Sequence, residues 1–356
     1  MIDKSKIDGL LPDELEKIII FLKEILGNKL TDKSTISKLA HREKQNHNCP
    51  YCDSQVFVKN GLSKKGVQRY KCKDCNRSFC DTTNTVSNNS KLTFEIWINF
   101  LQCMIDKLSI RKTAAKLELN KNTVFAMRHK VLNAFESFRE NTELLGEVQA
   151  DEKYESINLK GTRKEKMPRA SKPRKSKGGS KRGISSHQIC IASAIDEYDN
   201  TFFEIVGNGP ITSDMVTEAF SNKIKEDSIM ITDCKSSYEK FAKDNNIKLE
   251  QVKSGTYKNS NGYTLSEING LHSNLDLFLG SFVGVSTKHL QGYLDWFSYQ
   301  KYLNYAVEVL QQPNIMMNYI ISQNSYIKIE DIYKKEFPVD IYQIYAEYNF
   351  NPSTQI

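Results

Sequence analysis

The stretch GEVQADE, Gly146–Glu152, marks a change of rhythm in the chain. Before it, apolar residues recur every three or four positions. From it onward they fall into short alternating or continuous runs, the pattern of β-strands. GEVQADE reads as a strand ending at Asp151. HQICIASAID (187–196) and TFFEIVG (201–207) read as two further strands joined through EYDN, TSDMVTEAFSNKI (212–224) as a helix, and SIMITD (228–233) as an apolar strand ending at Asp233. A helix over 238–244, a strand in KLEQV (248–252) and two helical stretches from Ser266 onward complete the pattern. Hairpin, helix, strand, with acids closing the first and fourth strands, is the order of an RNase H-like fold. An α/β core is therefore expected over 146–305.

A lone aspartate at a strand end is usually a turn former or a helix cap. Two of them, far apart in sequence but on strands of one sheet, are what a divalent-cation site requires. In two-metal phosphoryl transfer the carboxylates must bridge ions about 4 Å apart, so Asp151 and Asp233 are the expected ligands of Mg²⁺ or Mn²⁺. Glu152 is expected on the opposite face of its strand, because side chains alternate.

Upstream lies HNCPYCDSQVFVKNGLSKKGVQRYKCKDCNRSF (47–79), in which Cys49 and Cys52 form one CxxC pair and Cys72 and Cys75 another, nineteen residues apart. Two such pairs with a hairpin-like stretch between them have the spacing of a zinc ribbon, expected over 48–82 with one structural Zn²⁺. Cys80, Cys103, Cys190 and Cys234 are bystanders on this reading. Lys59, Lys64, Lys65, Arg69, Lys71 and Lys73 make the ribbon a basic platform for phosphates.

Between ribbon and core, 90–137 reads as a helix-turn-helix. TFEIWINFLQCMIDKL places Phe94, Ile98, Leu101 and Ile105 on one helical stripe. Ser109 can cap a short second helix, ELN (118–120) makes the turn, and Lys121–Leu132 forms a third helix with Val124, Met127 and Val131 inward. If that third helix enters a major groove, Lys121, Asn122, Thr123, Arg128 and His129 face DNA. A plain helical hairpin shares this outline. PDELEKIIIFLKEIL gives 1–47 an amphipathic helical segment, with self-association as its one suggested use. No role is legible for a tail over 306–356.

The 356 residues are 39% hydrophobic and 26% charged, enough for several cores, and no run is apolar enough to suggest a signal or a membrane span. Eight cysteines without an export signal point to metal binding in the cytoplasm rather than disulfides. The net charge of +7 is concentrated: Lys153–Arg182 carries twelve Lys or Arg against Glu155 and Glu165, a local +10 that leaves −3 for the rest. This basic loop, expected over 153–186 and rich in Pro, Gly and Ser, cannot bury a core. It is read as an arm gripping double-stranded DNA, with Arg174, Lys175, Lys177, Lys181 and Arg182 on the backbone; the bland alternative is a solvated linker.

The order of a zinc ribbon, a helix-turn-helix, QADEKY, a basic loop ending in KRG, then ITD and LHSNLDLFLGSFVGVSTKHLQGYLDWF resembles the Merlin-related group of bacterial insertion-sequence transposases. The resemblance covers about Asn48 to Tyr299. It implies a DDE-type nuclease and strand transferase acting on element ends and target DNA, as a homo-oligomer in the synaptic complex. Asp151 and Asp233 match the first two acids. Relatives with a glutamate carry it three residues after the Asn of a His-x-Asn motif, where this chain has Leu277. Others use the Asn itself with a downstream Lys, which matches Asn274 and Lys288. Asp276 and Glu267 are nearby carboxylates that could substitute, and His272 could bind a phosphate or ligand or simply cap a helix. The missing glutamate leaves a second reading open, a DNA-binding regulator derived from such an enzyme and no longer catalytic.

Overall fold

The computed structural model describes residues 48–63, 67–168, 185, 187–306 and 311–346. They form two units, one comprising residues up to Ala134 with Leu303–Ile327, the other Phe135–Tyr302 with residues from Lys328 on. The helix expected within 1–47 lies outside the described residues.

The first unit begins with a small antiparallel sheet, β1 (Phe57–Leu62), β2 (Gln68–Cys72) and β3 (Ser78–Cys80), in that order. Its interior holds little more than Tyr70, Phe79, half-buried Phe57 and the cysteines. So small an apolar cluster does not stabilise a fold alone. The pairing of β1 with β2 shifts register between Lys59 and Leu62, where Gly61 takes a φ of 66°; glycine suits this bulge because it has no Cβ to clash.

Helices α1 (Phe94–Ile105), α2 (Ile110–Lys116) and α3 (Lys121–Ala134) follow. The Ser109 side chain accepts from the Lys112 N–H at 3.3 Å and caps α2, as expected. The turn after α2 passes through Glu118 in the left-handed region, φ 55°. Val124, Met127 and Val131 of α3 point inward. The stripe of α1 differs from expectation: Trp97, Phe100, Leu101 and Met104 are buried, whereas Phe94, Ile98 and Ile105 are only half-buried. This helix is apolar on more than one side, so its sequence fits two phases. Its packing partner, α9 (Gln312–Ser322), selects one of them. The expected tail is thus no tail, since its first described part is a helix of this unit.

The second unit is a five-stranded sheet in the order β6-β5-β4-β7-β8. Strands β4 (Glu147–Ser156), β5 (Gln188–Asp196) and β6 (Thr201–Asn208) form an antiparallel meander; β7 (Ile229–Thr232) and β8 (Lys248–Gln251) join parallel to β4. The first strand is central, the hairpin lies to one side and the crossovers to the other, which is the RNase H-like order. Helices α5 (Ser213–Phe220) and α6 (Ser236–Asp244) cover one face, where Val148, Ala150, Ala192, Phe202, Val216, Phe220 and Phe241 share a core. The opposite face carries α7 (Ser266–Gly280) and α8 (Leu290–Ala306), through contacts such as Phe203 with Phe297 and Phe278 with Phe297. Arg139, on the short helix α4 (Glu136–Glu140), reaches into this side: its Nε lies 3.2 Å from Asp295 and its Nη1 2.8 Å from Glu204.

Two expectations about β4 are corrected. The strand does not end at Asp151 but runs five residues further, because β5 pairs with it as far as Ser156 opposite Gln188. Residues 153–156 are therefore strand rather than basic loop. Lys160 is held too, its Nζ donating to the carbonyls of Val283 and Gly284 at 3.4 and 3.1 Å.

Candidate active site

The thiol site is built from two matching turns. After each CxxC the chain enters the left-handed region, at Asp53 (φ 59°) and Asn76 (φ 57°), residue types whose short polar side chains tolerate it. The turns bring four sulfurs together: Cys49 Sγ lies 3.5 Å from Cys75 Sγ, Cys52 Sγ 3.6 Å from Cys72 Sγ, and all four ligand atoms are within 4.8 Å of one another. Sulfurs bound to zinc at about 2.3 Å in a tetrahedron stand about 3.8 Å apart, so the set fits a closed zinc site. Cys80 stays outside it, with Sγ 3.4 Å from Thr82 Oγ1 and 3.5 Å from Thr83 Oγ1.

In the second unit the chemistry gathers where β4 and β7 part. Their parallel register pairs Glu147 with Ile229, Val148 with Met230 and Gln149 with Ile231. Two residues beyond the last of these pairs come Asp151 on β4 and Asp233 just past the end of β7. β7 stops at Thr232 while β4 continues beside β5, so the two acids flank the opening between diverging strands. Ligand sites form at such switch points of open sheets.

The face of β4 that bears Asp151 also bears Gln149 and Lys153, and α7 lies along it. Gln149 Oε1 accepts from the N–H groups of Glu267 and Ile268, both at 3.1 Å, satisfying the start of α7. Asp151 Oδ2 faces His272 Nδ1 at 3.9 Å, and Lys153 Nζ pairs with Asp276 Oδ1 at 2.7 Å. Two residues of strand advance about 6.7 Å and four residues of helix about 6 Å. Positions 149, 151 and 153 therefore stay in step with 268, 272 and 276. His272 is additionally tied to the neighbouring strand, its Nε2 2.6 Å from Ser193 Oγ, and Ser193 Oγ donates to the Asp151 carbonyl at 2.7 Å. His272 sits in the middle of α7 and caps nothing.

Glu152 points the other way, as alternation requires, and is buried. It accepts from the hydroxyls of Tyr154 (3.2 Å) and Tyr238 (3.1 Å) and from Lys235, whose ammonium also pairs with Asp233 Oδ2 at 2.9 Å. Burial, the Glu152 carboxylate and Asp233 push the Asp151 carboxyl up to about 7, against the pull of Lys235. Burial and Lys153 push His272 down to about 4. Burial opposes the charge on Lys235, but its bonds to Glu152 and Asp233 raise its pKa overall. A carboxylate crowded by two others gains from a dication, and Asp151 with Asp233 offers the hard oxygen donors that Mg²⁺ or Mn²⁺ takes. Among the described residues the four thiols are the one group of three or more ligand side chains that already converges; the acids form an open pair.

Of the other expected site residues, Asn274 is exposed on α7, and at 100° per residue it lies about 200° around the helix from His272. Leu277 is 73% exposed. Lys288, half-buried in the turn Thr287–His289, has its pKa lowered by burial. Lys121 and Asn122 are exposed at the start of α3 and Thr123 is half-buried. Arg128 and His129 are corrections. Arg128 is 2% exposed and donates through Nη2 to the Leu108 carbonyl at 2.7 Å, while His129 is buried with its ring 4.3 Å from that of Phe125. Arg128 lies on the inward side of α3 with Val124 and Val131, and His129 is buried on another face of the helix, so neither is exposed to a groove. Arg174, Lys175, Lys177, Lys181 and Arg182 lie outside the described residues. Ser193, Lys235 and Tyr238 were missed from sequence; only the closeness of Lys235 to Asp233 hinted at any of them.

Residues 143–301 match the family described as the ISXO2-like transposase domain. A protein of Halobacterium salinarum described as an uncharacterized protein in transposable element ISH50 is 27% identical over 271 residues, 74% of this chain and 86% of its own length. Among solved structures, the Mos1 strand transfer complex is 14% identical, covering 64% of this chain and 78% of that one with a TM-score of 0.28. A pre-cleavage Mos1 transpososome is 9% identical over the same shares, with a TM-score of 0.21. The fold assignment rests on the sheet order and not on these superpositions.

Proposed function

We propose, from the match of residues 143–301 to the ISXO2-like transposase domain, that this protein is an insertion-sequence transposase that binds the terminal inverted repeats of its element and catalyses metal-dependent strand cleavage and strand transfer. The observation that carries the reading is that Asp151 and Asp233 stand at the same offset, two residues beyond the last paired residues of neighbouring parallel strands, close enough for the Asp233 charge to act on the Asp151 carboxyl. Asp151 and Asp233 hold the divalent cations. When bound, Mg²⁺ or Mn²⁺ supplies Lewis acidity and an activated water or hydroxyl for in-line displacement. Glu152 anchors Lys235 beside Asp233, and Gln149 and Lys153 hold α7 against β4. The resemblance assigns the third position to Asn274 and adds Lys288, but Asn274 lies on the side of α7 turned away from Asp151 and is left out of the ligand set. The Cys49, Cys52, Cys72 and Cys75 site holds structural zinc, α2 and α3 form the helix-turn-helix with Lys121, Asn122 and Thr123 at the groove, and the protein acts on DNA as a homo-oligomer.

The test uses oligonucleotides carrying the element's own ends with Mg²⁺ or Mn²⁺. Asp151→Asn and Asp233→Asn each remove a ligand charge worth several kcal/mol in the transition state, so cleavage falls by about 10³-fold or more while end binding is unchanged. A second reading, a non-catalytic DNA-binding regulator, draws on Leu277 standing where other relatives carry a glutamate. Unmutated protein that binds its ends and never cleaves them with either cation decides for the regulator.

A further inference from the structure

We infer that His272 is a nitrogen ligand of the cation held by Asp151, fixed in the ligating tautomer by Ser193; this rests on the metal-dependent reading above. A serine hydroxyl has one proton, and a backbone carbonyl can only accept. Ser193 Oγ lies 2.7 Å from the Asp151 carbonyl oxygen and 2.6 Å from His272 Nε2. Its proton goes to the carbonyl, so at the second contact Ser193 is the acceptor and Nε2 carries the ring proton. Nδ1 is then left with a bare lone pair.

That lone pair faces the Asp151 carboxylate across 3.9 Å, too far for a hydrogen bond. Ligand atoms of one octahedral cation, bonded at about 2.1 Å, stand about 3 Å apart when adjacent and about 4.2 Å when opposite. The observed gap falls between these limits. The arrangement is the one used at metal centres generally, in which the second ring nitrogen donates to a fixed acceptor and so settles the tautomer and orientation of the ligating one. His272 cannot drift from this place, because the rungs Gln149 to Ile268 and Lys153 to Asp276 hold α7 in step with β4 on either side of it. An imidazole ligand makes the site kinder to Mn²⁺ and later transition metals than to Mg²⁺.

The test is pulsed electron paramagnetic resonance on the full-length, zinc-loaded protein with one equivalent of Mn²⁺. Modulation from a directly bound nitrogen is expected in the unmutated protein, lost in His272→Ala and kept in Asn274→Ala. Ser193→Ala, which frees the ring to change tautomer, should weaken Mn²⁺ binding by about 10–100-fold. If Mn²⁺ binding depends on Asp151 and Asp233 but shows no nitrogen, or shows nitrogen that survives in His272→Ala, the ligand assignment is wrong and the metal site stands. If Mn²⁺ binding ignores both Asp151→Asn and Asp233→Asn, the metal reading and this inference fail together.

Discussion

Asp151 and Glu152 are neighbours in the chain, and strand alternation sends one to the opening and the other into the sheet's far side. Their environments then give them different work: Glu152 is satisfied by two tyrosine hydroxyls and Lys235, while Asp151 is left crowded by negative charge. The same contrast governs Asp295, fully enclosed beside Arg139. Burial lifts its carboxyl from 3.8 to about 7 even though Arg139 pulls it down. An acid whose pKa is higher folded than unfolded holds more protons in the folded state, so it adds stability as pH falls from about 7 toward 4. Replacing Arg139 by Met leaves Asp295 without its cation, which should cost about 3–5 kcal/mol at pH 8. The loss should shrink at pH 5, where Asp295 is protonated. Urea unfolding at the two pH values checks this; an equal loss at both would mean the pair is not electrostatic in origin.

The small sheet over 57–80 has too little apolar core to order itself, and its four converging thiols offer the zinc site that would do so. Apparent binding energies of structural zinc are about 10–16 kcal/mol in small zinc domains, far more than a core of Tyr70, Phe79 and Phe57 supplies. Cys72→Ser should therefore remove the one tightly held zinc per chain and make 48–82 protease-sensitive, while the unit containing the sheet melts as before. Metal analysis and limited proteolysis check it, and iron or an unchanged digest would count against zinc. Helix α1 is the opposite case, an element with too much apolar surface to fix its own orientation. Its buried stripe was set by α9, more than two hundred residues downstream.

Across the whole molecule, positive charge is unevenly distributed along the sequence. The +10 of Lys153–Arg182 lies in one segment, and no helix among the described residues is long and apolar enough to cross a membrane. Counterion release predicts that each lost phosphate contact lowers the salt slope of duplex binding by about 0.9. Changing Arg174, Lys175 and Lys177 together to Ser should thus reduce the slope by about 2.7 and weaken binding to any duplex alike. Titration of a fluorescent duplex at several salt concentrations measures it; an unchanged slope would return the segment to a linker.

The features legible in the chain were those with short-range causes. A thiol pair needs only its two-residue spacing to form a knuckle, and alternating apolar residues announce a strand wherever it ends up, so the Cys49, Cys52, Cys72 and Cys75 cluster and the strands of the sheet could be read directly. So could the likeness to a transposase domain over 143–301. The site's supporting contacts could not. Ser193 meets Asp151 across 42 residues and His272 across 79, and no local pattern encodes which hydroxyl will stand beside which imidazole. Arg128 looked like a groove reader because arginine is usually solvated, yet the Leu108 carbonyl gives its guanidinium an interior partner. Residues 311–327 looked like a tail because their helix has meaning only against α1. Such outcomes depend on which surfaces meet once the chain has folded, and pairing across long separations is settled by packing rather than by the propensities of the residues involved.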